Sequence, residues 1–181
     1  MAITDVEIVK LSRKKVISKC ERSPDQYLSP IFTRPKKDGT NRMILNLKGL
    51  NSEIAYHHFK MDTFQVALKL VTQFCFISSI DLKDAYYSVS ITKHHRKFLR
   101  FSWRGQLWQF DSMPNGLALT PRKFTKLLKP VVAKLREEGH VSASFLDDSL
   151  LLSESEAASV QNVQATVQLF QSFSWLHSSS R

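Results

Sequence analysis

Val141-Ser142-Ala143-Ser144-Phe145-Leu146-Asp147-Asp148-Ser149-Leu150-Leu151-Leu152-Ser153 sets two adjacent carboxylates between two short apolar runs. Such runs flanking a polar pair read as a β-hairpin, Val141 to Leu146 going out and Ser149 to Ser153 coming back. A tight hairpin turn favours Asn-Gly or Asp-Gly, because φ > 0 is cheap only for such residues, so Asp-Asp is a poor choice for the turn alone. Two carboxylates about 5 Å apart repel by roughly 3 kcal/mol at an effective dielectric near 20, unless a cation sits between them. That cost points to a bound divalent metal.

A hard cation such as Mg²⁺ takes oxygen ligands and keeps several waters, so a second acidic strand end is expected to face the hairpin. Phe74-Cys75-Phe76-Ile77-Ser78-Ser79-Ile80 running into Asp81 supplies one. Taken singly, Asp147-Asp148 is more often a solvated turn, and Asp81 a strand terminator.

The chain has 181 residues, of which 43% are apolar, enough for one ordinary domain with a filled core. Its net charge of +10 is unevenly spread. Residues 1–136 carry 25 Lys/Arg against 10 Asp/Glu, and residues 137–181 carry 1 against 6, so the parts stand at +15 and −5. A basic surface with an acidic pocket suits a protein that holds a polyanion and also binds metal, although a solvated surface can be basic too. Cys20 and Cys75 lack the spacing of a zinc site or a disulfide framework. No apolar run approaches membrane-spanning length and the N-terminus has no secretory h-region, so an intracellular protein, cytoplasmic or nuclear, with no membrane partner is expected.

Along the chain, Thr4-Asp5-Val6-Glu7 has capping-box spacing and predicts a helix over about residues 5–15. Tyr27 to Pro35 and Arg42 to Leu47 read as two strands joined by Lys36-Lys37-Asp38-Gly39-Thr40-Asn41, a hairpin with a basic tip, and Pro30 and Pro35 put it at an edge. Asp62 is expected to cap a helix whose Phe64, Ala67, Leu68 and Val71 face the core. Phe101 and Trp103, then Arg104-Gly105, then Leu107, Trp108 and Phe110 read as another hairpin. Its tryptophans could stack on bases, but cross-strand packing is the preferred reading. Thr120-Pro121 opens a helix with threonine as cap. Its apolar stripe is Phe124, Leu127, Leu128, Val131, Val132 and Leu135, Pro130 should kink it, and Gly139 ends it. Val160, Val163, Val167 and Phe170 again carry helical spacing, and His177 to Arg181 form a polar tail.

Four segments in fixed order over roughly residues 28–152 together resemble the reverse transcriptases of retroelements. Ser79-Ile80-Asp81-Leu82-Lys83-Asp84-Ala85-Tyr86 is similar to that family's first catalytic motif, and Phe145-Leu146-Asp147-Asp148 to its Tyr-x-Asp-Asp box with phenylalanine for tyrosine. Met113-Pro114-Asn115-Gly116, followed by Pro121 and Phe124, is similar to the motif that contacts nucleotide and template, and Lys36-Lys37-Asp38-Gly39 with Arg42 resembles the fingers hairpin. The wording of residues 34–39, 80–88 and 114–118 most resembles retrotransposons of the DIRS type, which encode a tyrosine recombinase.

The resemblance implies an α+β, fingers-palm polymerase fold, with an antiparallel palm sheet packed on helices and the thumb absent. Residues 1–26 would form an N-terminal helical segment, 27–174 the fingers and palm, and 175–181 a disordered tail. It implies RNA-directed DNA polymerase activity, with two Mg²⁺ ions (or Mn²⁺ in their place) held by Asp81, Asp147 and Asp148 and by the Leu82 carbonyl. Lys36 and Arg42 would grip the triphosphate of a dNTP, Asp84 and Ala85 would offer backbone N–H groups, Tyr86 would lie under the sugar, and Asn115 and Gly116 would complete the pocket. The partners would be an RNA or DNA template with its primer, and the thumb and RNase H regions of a parent polyprotein. The other reading is a catalytically inactive nucleic-acid-binding remnant, and an unrelated basic structural protein would need four ordered motifs by chance.

Overall fold

A computed structural model of the chain describes residues 2–36 and 38–173. Lys37 and the tail at 175–181 lie outside the described residues. In chain order the elements are α1 (Ile3–Arg13), β1 (Ile17–Lys19), β2 (Ile31–Pro35), β3 (Asn41–Leu45), α2 (Lys48–Ser52), α3 (Phe64–Leu70) and β4 (Phe76–Asp81). Then come β5 (Arg100–Trp103), β6 (Gln106–Phe110), α4 (Thr120–Glu137), β7 (Val141–Phe145), β8 (Asp148–Ser153) and α5 (Glu156–Ser172). All named strands pair antiparallel, in sheets ordered β1-β6-β5, β2-β3 and β4-β8-β7. The chain divides into two compact units, Met1–Tyr56 with Tyr86–Thr120, and His57–Ala85 with Pro121–Arg181.

The first unit is built on an apolar cluster that includes Leu11, Ile17, Met43, Leu45, Phe101 and Phe110. Period-2 alternation produces it: Met43 and Leu45 turn inward from β3, while Ile44 between them is only half-buried and Arg42 before them faces water. The β5–β6 hairpin closes at Arg104-Gly105, both with φ > 0, and the Phe101 and Phe110 rings pack 6.0 Å apart. Trp103 and Trp108 pack against this cluster, as preferred; Trp103 Nε1 donates to Asp5 and Lys19 lies over the Trp108 ring. Helix α1 begins earlier than the sequence suggests. Ala2 is its N-cap and donates its N–H to Asp5 Oδ2, so Thr4 is inside the helix and Glu7 is free to pair with Lys10. The β2–β3 hairpin is a two-stranded sheet with its turn at Asp38-Gly39, as its prolines imply, although β2 starts at Ile31 rather than Tyr27.

In the second unit α5 packs on β8 and β4, and α3 packs along β7. Helix α4 continues through Pro130 and buries Phe124, Leu128, Val131, Val132 and Leu135, whereas Leu127 stays exposed. Thr120 does not cap it: its hydroxyl donates to the Pro114 carbonyl. The helix ends in a Schellman motif, with Gly139 at φ +88, its N–H donating to Arg136 O and the His140 N–H to Leu135 O. Three further expectations need correction. Thr63, not Asp62, caps α3, accepting from the Val66 N–H. The face of α3 carrying Leu68 and Val71 is exposed, because about two turns of helix on a sheet edge cover little area. The buried stripe of α5 is Asn162, Thr166 and Phe170, and Val160 is exposed. Polar residues can serve there because Asn162 Nδ2 donates to the Val141 and Leu152 carbonyls, while Thr166 donates to Asn162 Oδ1.

Candidate active site

Strand β4 ends on Asp81 and β8 begins on Asp148, and the ladder places these two residues directly opposite each other. Opposed residues of an antiparallel pair hold their Cβ atoms about 5 Å apart on one face, so carboxylates 67 residues apart in sequence (148 − 81 = 67) become neighbours. The Leu82 N–H extends the ladder by donating to the Asp147 carbonyl at 2.8 Å, tying the end of β4 to the hairpin turn. The turn has two residues, Leu146 and Asp147, with Phe145 paired to Asp148. Its left-handed position is Leu146, at φ +56, not either aspartate. An aliphatic residue there costs roughly 1–2 kcal/mol and persists only where surrounding structure holds it.

The electrostatics follow the geometry. Burial pushes the Asp148 carboxyl above its ordinary value, and the charges of Asp147 and then Asp81 push it further. Two carboxylates thus act on a third, and none of the three has an ion pair among the described residues, which fits a place made for a cation. Among the described residues no three His, Cys, Asp or Glu side chains are grouped closely enough to encircle an ion on their own. The donors on offer are therefore two opposed carboxylates and the turn, a set that suits Mg²⁺ because that ion retains waters. The Leu82 carbonyl accepts from the Ala85 N–H at 3.1 Å and keeps a second lone pair. Asp84 adopts φ +59, which turns the chain out of β4 into the 3-10 turn Ala85–Ser88.

The remaining expected site residues belong to the first unit. Lys36 lies beside the β2–β3 turn, its N–H donating to Thr40 O, and the tip is fixed by Thr40 donating to Asp38 Oδ1 through both N–H and hydroxyl. Arg42 stands opposite Arg34 in that hairpin, both exposed and without an ion pair among the described residues. Like charges in direct opposition are unfavourable and are relieved by an anion. Tyr86 packs against the apolar cluster, and Asn115 donates to the Tyr87 hydroxyl. Gly116, at φ +89, is held by Asn51, which donates to its carbonyl and accepts from the Ala118 N–H. Asn51 gave no sequence signal, lying 65 residues from Gly116.

A basic cleft of about 300 Å³ lies within the second unit, lined by His58, Phe59, Lys60, Arg122, Thr125, Lys126 and Lys129. The α4 residues among these recur at i, i+3, i+4 and i+7 and so share one face. The cleft thus gathers four cations with no ion pair among the described residues, and Arg122 stands in the first turn of α4, near the positive end of the helix dipole.

The chain matches the family described as Reverse transcriptase (RNA-dependent DNA polymerase) over residues 34–177, and belongs to it. That family's members are nucleotidyltransferases. The chain is 27% identical over 139 residues, 77% of its length, to the Transposon Tf2-3 polyprotein of Schizosaccharomyces pombe (strain 972 / ATCC 24843). It spans 10% of that polyprotein. In fold it is similar to the foamy viral protease-reverse transcriptase solved in complex with dsDNA, with a TM-score of 0.79, 22% identity, and coverage of 94% of this chain and 34% of that one. The native Prototype Foamy Virus Protease-Reverse Transcriptase gives a TM-score of 0.75 at 20% identity, over 93% of this chain and 22% of that one. The α+β fold with an antiparallel sheet is thus that of retroviral fingers and palm.

Proposed function

We propose that this chain is the fingers-palm part of an RNA-directed DNA polymerase from a retrotransposon polyprotein, adding dNTPs to a primer 3′-end. The observation that carries the reading is the in-register pairing of Asp81 with Asp148, with Asp147 in the adjoining turn. Asp81, Asp147 and Asp148 would hold two Mg²⁺ ions, with the Leu82 carbonyl as a further oxygen. When bound, such a pair activates the primer hydroxyl and neutralises the departing pyrophosphate. Lys36 and Arg42 would take the triphosphate, Arg42 through its planar fork. Asp84 would add a backbone donor, as would Ala85 once its N–H leaves the Leu82 carbonyl, Tyr86 would pack under the sugar, and Asn115 with Gly116 would line the pocket. Template and primer would be drawn by the basic cleft, in line with the duplex DNA held by the foamy viral relative.

The wording of residues 34–39, 80–88 and 114–118 supports a DIRS-type element. A tyrosine recombinase reading frame in the genomic flanks would bear that out, and an integrase frame would refute it. The polymerase reading is tested by primer extension on RNA and DNA templates with Mg²⁺, by this chain alone and joined to the thumb of a related polymerase. The joined protein is expected to extend the primer and Asp81→Asn to lose at least about 1000-fold of that rate, as for removal of central charge-stabilising groups. Nucleic-acid binding with no extension in either form would instead identify an inactive remnant.

A further inference from the structure

We propose that Asp62 and Arg136, which no motif includes, are positioning residues that hold the Asp147–Asp148 hairpin in shape from the outer edge of β7. Strand β7 is the edge of its sheet, pairing only with β8 among the described residues. Alternate backbone groups of an edge strand point away from the partner and are left to solvent or to another chain. Here two of them are met by one ion pair. Asp62 Oδ2 accepts from the Ser144 N–H at 3.1 Å and from Arg136 Nη2 at 2.8 Å, and the same Nη2 donates to the Ser142 carbonyl at 2.8 Å.

Both anchors sit on fixed elements. Arg136 is in the last turn of α4, directly before the Schellman cap, and Asp62 precedes the N-cap of α3. On the inner side the hairpin is bridged by the Ser144 and Ser149 hydroxyls, 3.0 Å apart. Ser144 is thus gripped on both sides two residues before Leu146, whose left-handed conformation must be imposed by its surroundings. A half-exposed ion pair contributes little by itself. Its use here is geometric: it fixes the last outward amide before the turn and so the direction in which Asp147 and Asp148 leave it.

The inference rests on the polymerase reading for its purpose, but its test does not. In Asp62→Ala, the amide of Ser144 is expected to exchange faster, and the HN–Hα coupling of Leu146, which reports its φ, to shift toward an averaged value. In the same variant Mn²⁺ affinity, measured by water-proton relaxation on the purified chain, should fall about tenfold or more, as for lost outer-shell partners of metal ligands. Asp62→Asn keeps an acceptor for Ser144 and should restore all three readouts, and Arg136→Met should resemble Asp62→Ala. Faster exchange with an unchanged Leu146 coupling would overturn the proposal, leaving the pair as edge cover only. If the unaltered chain binds no Mn²⁺, the metal-site reading fails, and the Leu146 coupling in Asp62→Ala still decides the positioning role.

Discussion

In the first unit, Asp5 accepts from Trp103 Nε1 and the Ala2 N–H and lies 3.0 Å from Arg104, whereas in the second, Asp148 faces Asp81 across a ladder and follows Asp147. The same side chain is pulled in opposite directions: Asp5 below its ordinary acid range, first by the Trp103 hydrogen bond, and Asp148 above it, first by burial. Other charges divide similarly. Arg96 meets Asp111 at 2.6 Å in the first unit, while Lys60, Arg122, Lys126 and Lys129 converge in the second with no anion among the described residues. Met charges hold a structure together, and like charges gathered without partners mark where a ligand of opposite sign is to be received.

The comparison is most severely tested at Arg100, nearly buried in the first unit. Its Nη1 donates to the Glu21 carbonyl, Ser23 Oγ and Gln26 Oε1, and its Nη2 to Gln109 Oε1. Arg100→Ala leaves those acceptors unmet and should lower the free energy of unfolding by about 3 kcal/mol in urea titration. A loss within experimental error would break the claim that charges tied by hydrogen bonds in this unit are structural.

The opposite result is expected in the basic cleft. Lys126 and Lys129 are exposed, like-charged and without an ion pair among the described residues, so the double change Lys126→Gln and Lys129→Gln should leave stability within about 0.5 kcal/mol of the parent. It should instead weaken binding of a single-stranded oligonucleotide. The slope of log K against log salt should fall by about 1.4, two phosphate contacts at about 0.7 each. Unchanged affinity and slope would make the cleft a solvated face.

Much of this was legible in the sequence because it was local. The acidic hairpin, the strand into Asp81, the Asp38-Gly39 and Arg104-Gly105 turns and the α4 stripe are read from neighbours within a few residues. What escaped was non-local or depended on polar satisfaction. Asp62 looked like a cap because it precedes a helix, yet its partners are 74 and 82 residues away. The helical spacing of Val160, Val163, Val167 and Phe170 did not include Asn162 and Thr166, because burial of an amide makes sense only once the Val141 and Leu152 carbonyls are above it. Leu146 carried no turn signal, since its φ is imposed by the strands on either side. The site was legible as residue types and became a site only through register: one residue of slip in β8 would send Asp148 to the opposite face from Asp81.

The smallest expected effect is also the most direct contrast between the two units, the pH dependence of stability without metal. Asp5 has its folded acid constant lowered, so its contribution is fully present above the unfolded value of 3.8 and is lost as pH falls through the lowered folded value. Asp148 has its constant raised, so the folded state holds its proton more tightly than the unfolded chain does. Its contribution is greatest below 3.8 and is lost as pH rises through the raised value. Asp5→Asn should therefore flatten the acid limb of the stability curve, and Asp148→Asn should remove a decline above 3.8. Saturating Mg²⁺ should act on the second limb alone, since a cation among Asp81, Asp147 and Asp148 favours the charged form that their mutual repulsion disfavours. Melting temperatures of the parent and both variants across this range, with and without Mg²⁺, give the signs. If Mg²⁺ shifts the Asp5-dependent limb equally, the ion acts through general screening and the carboxylates of β4 and β8 have no special claim on it.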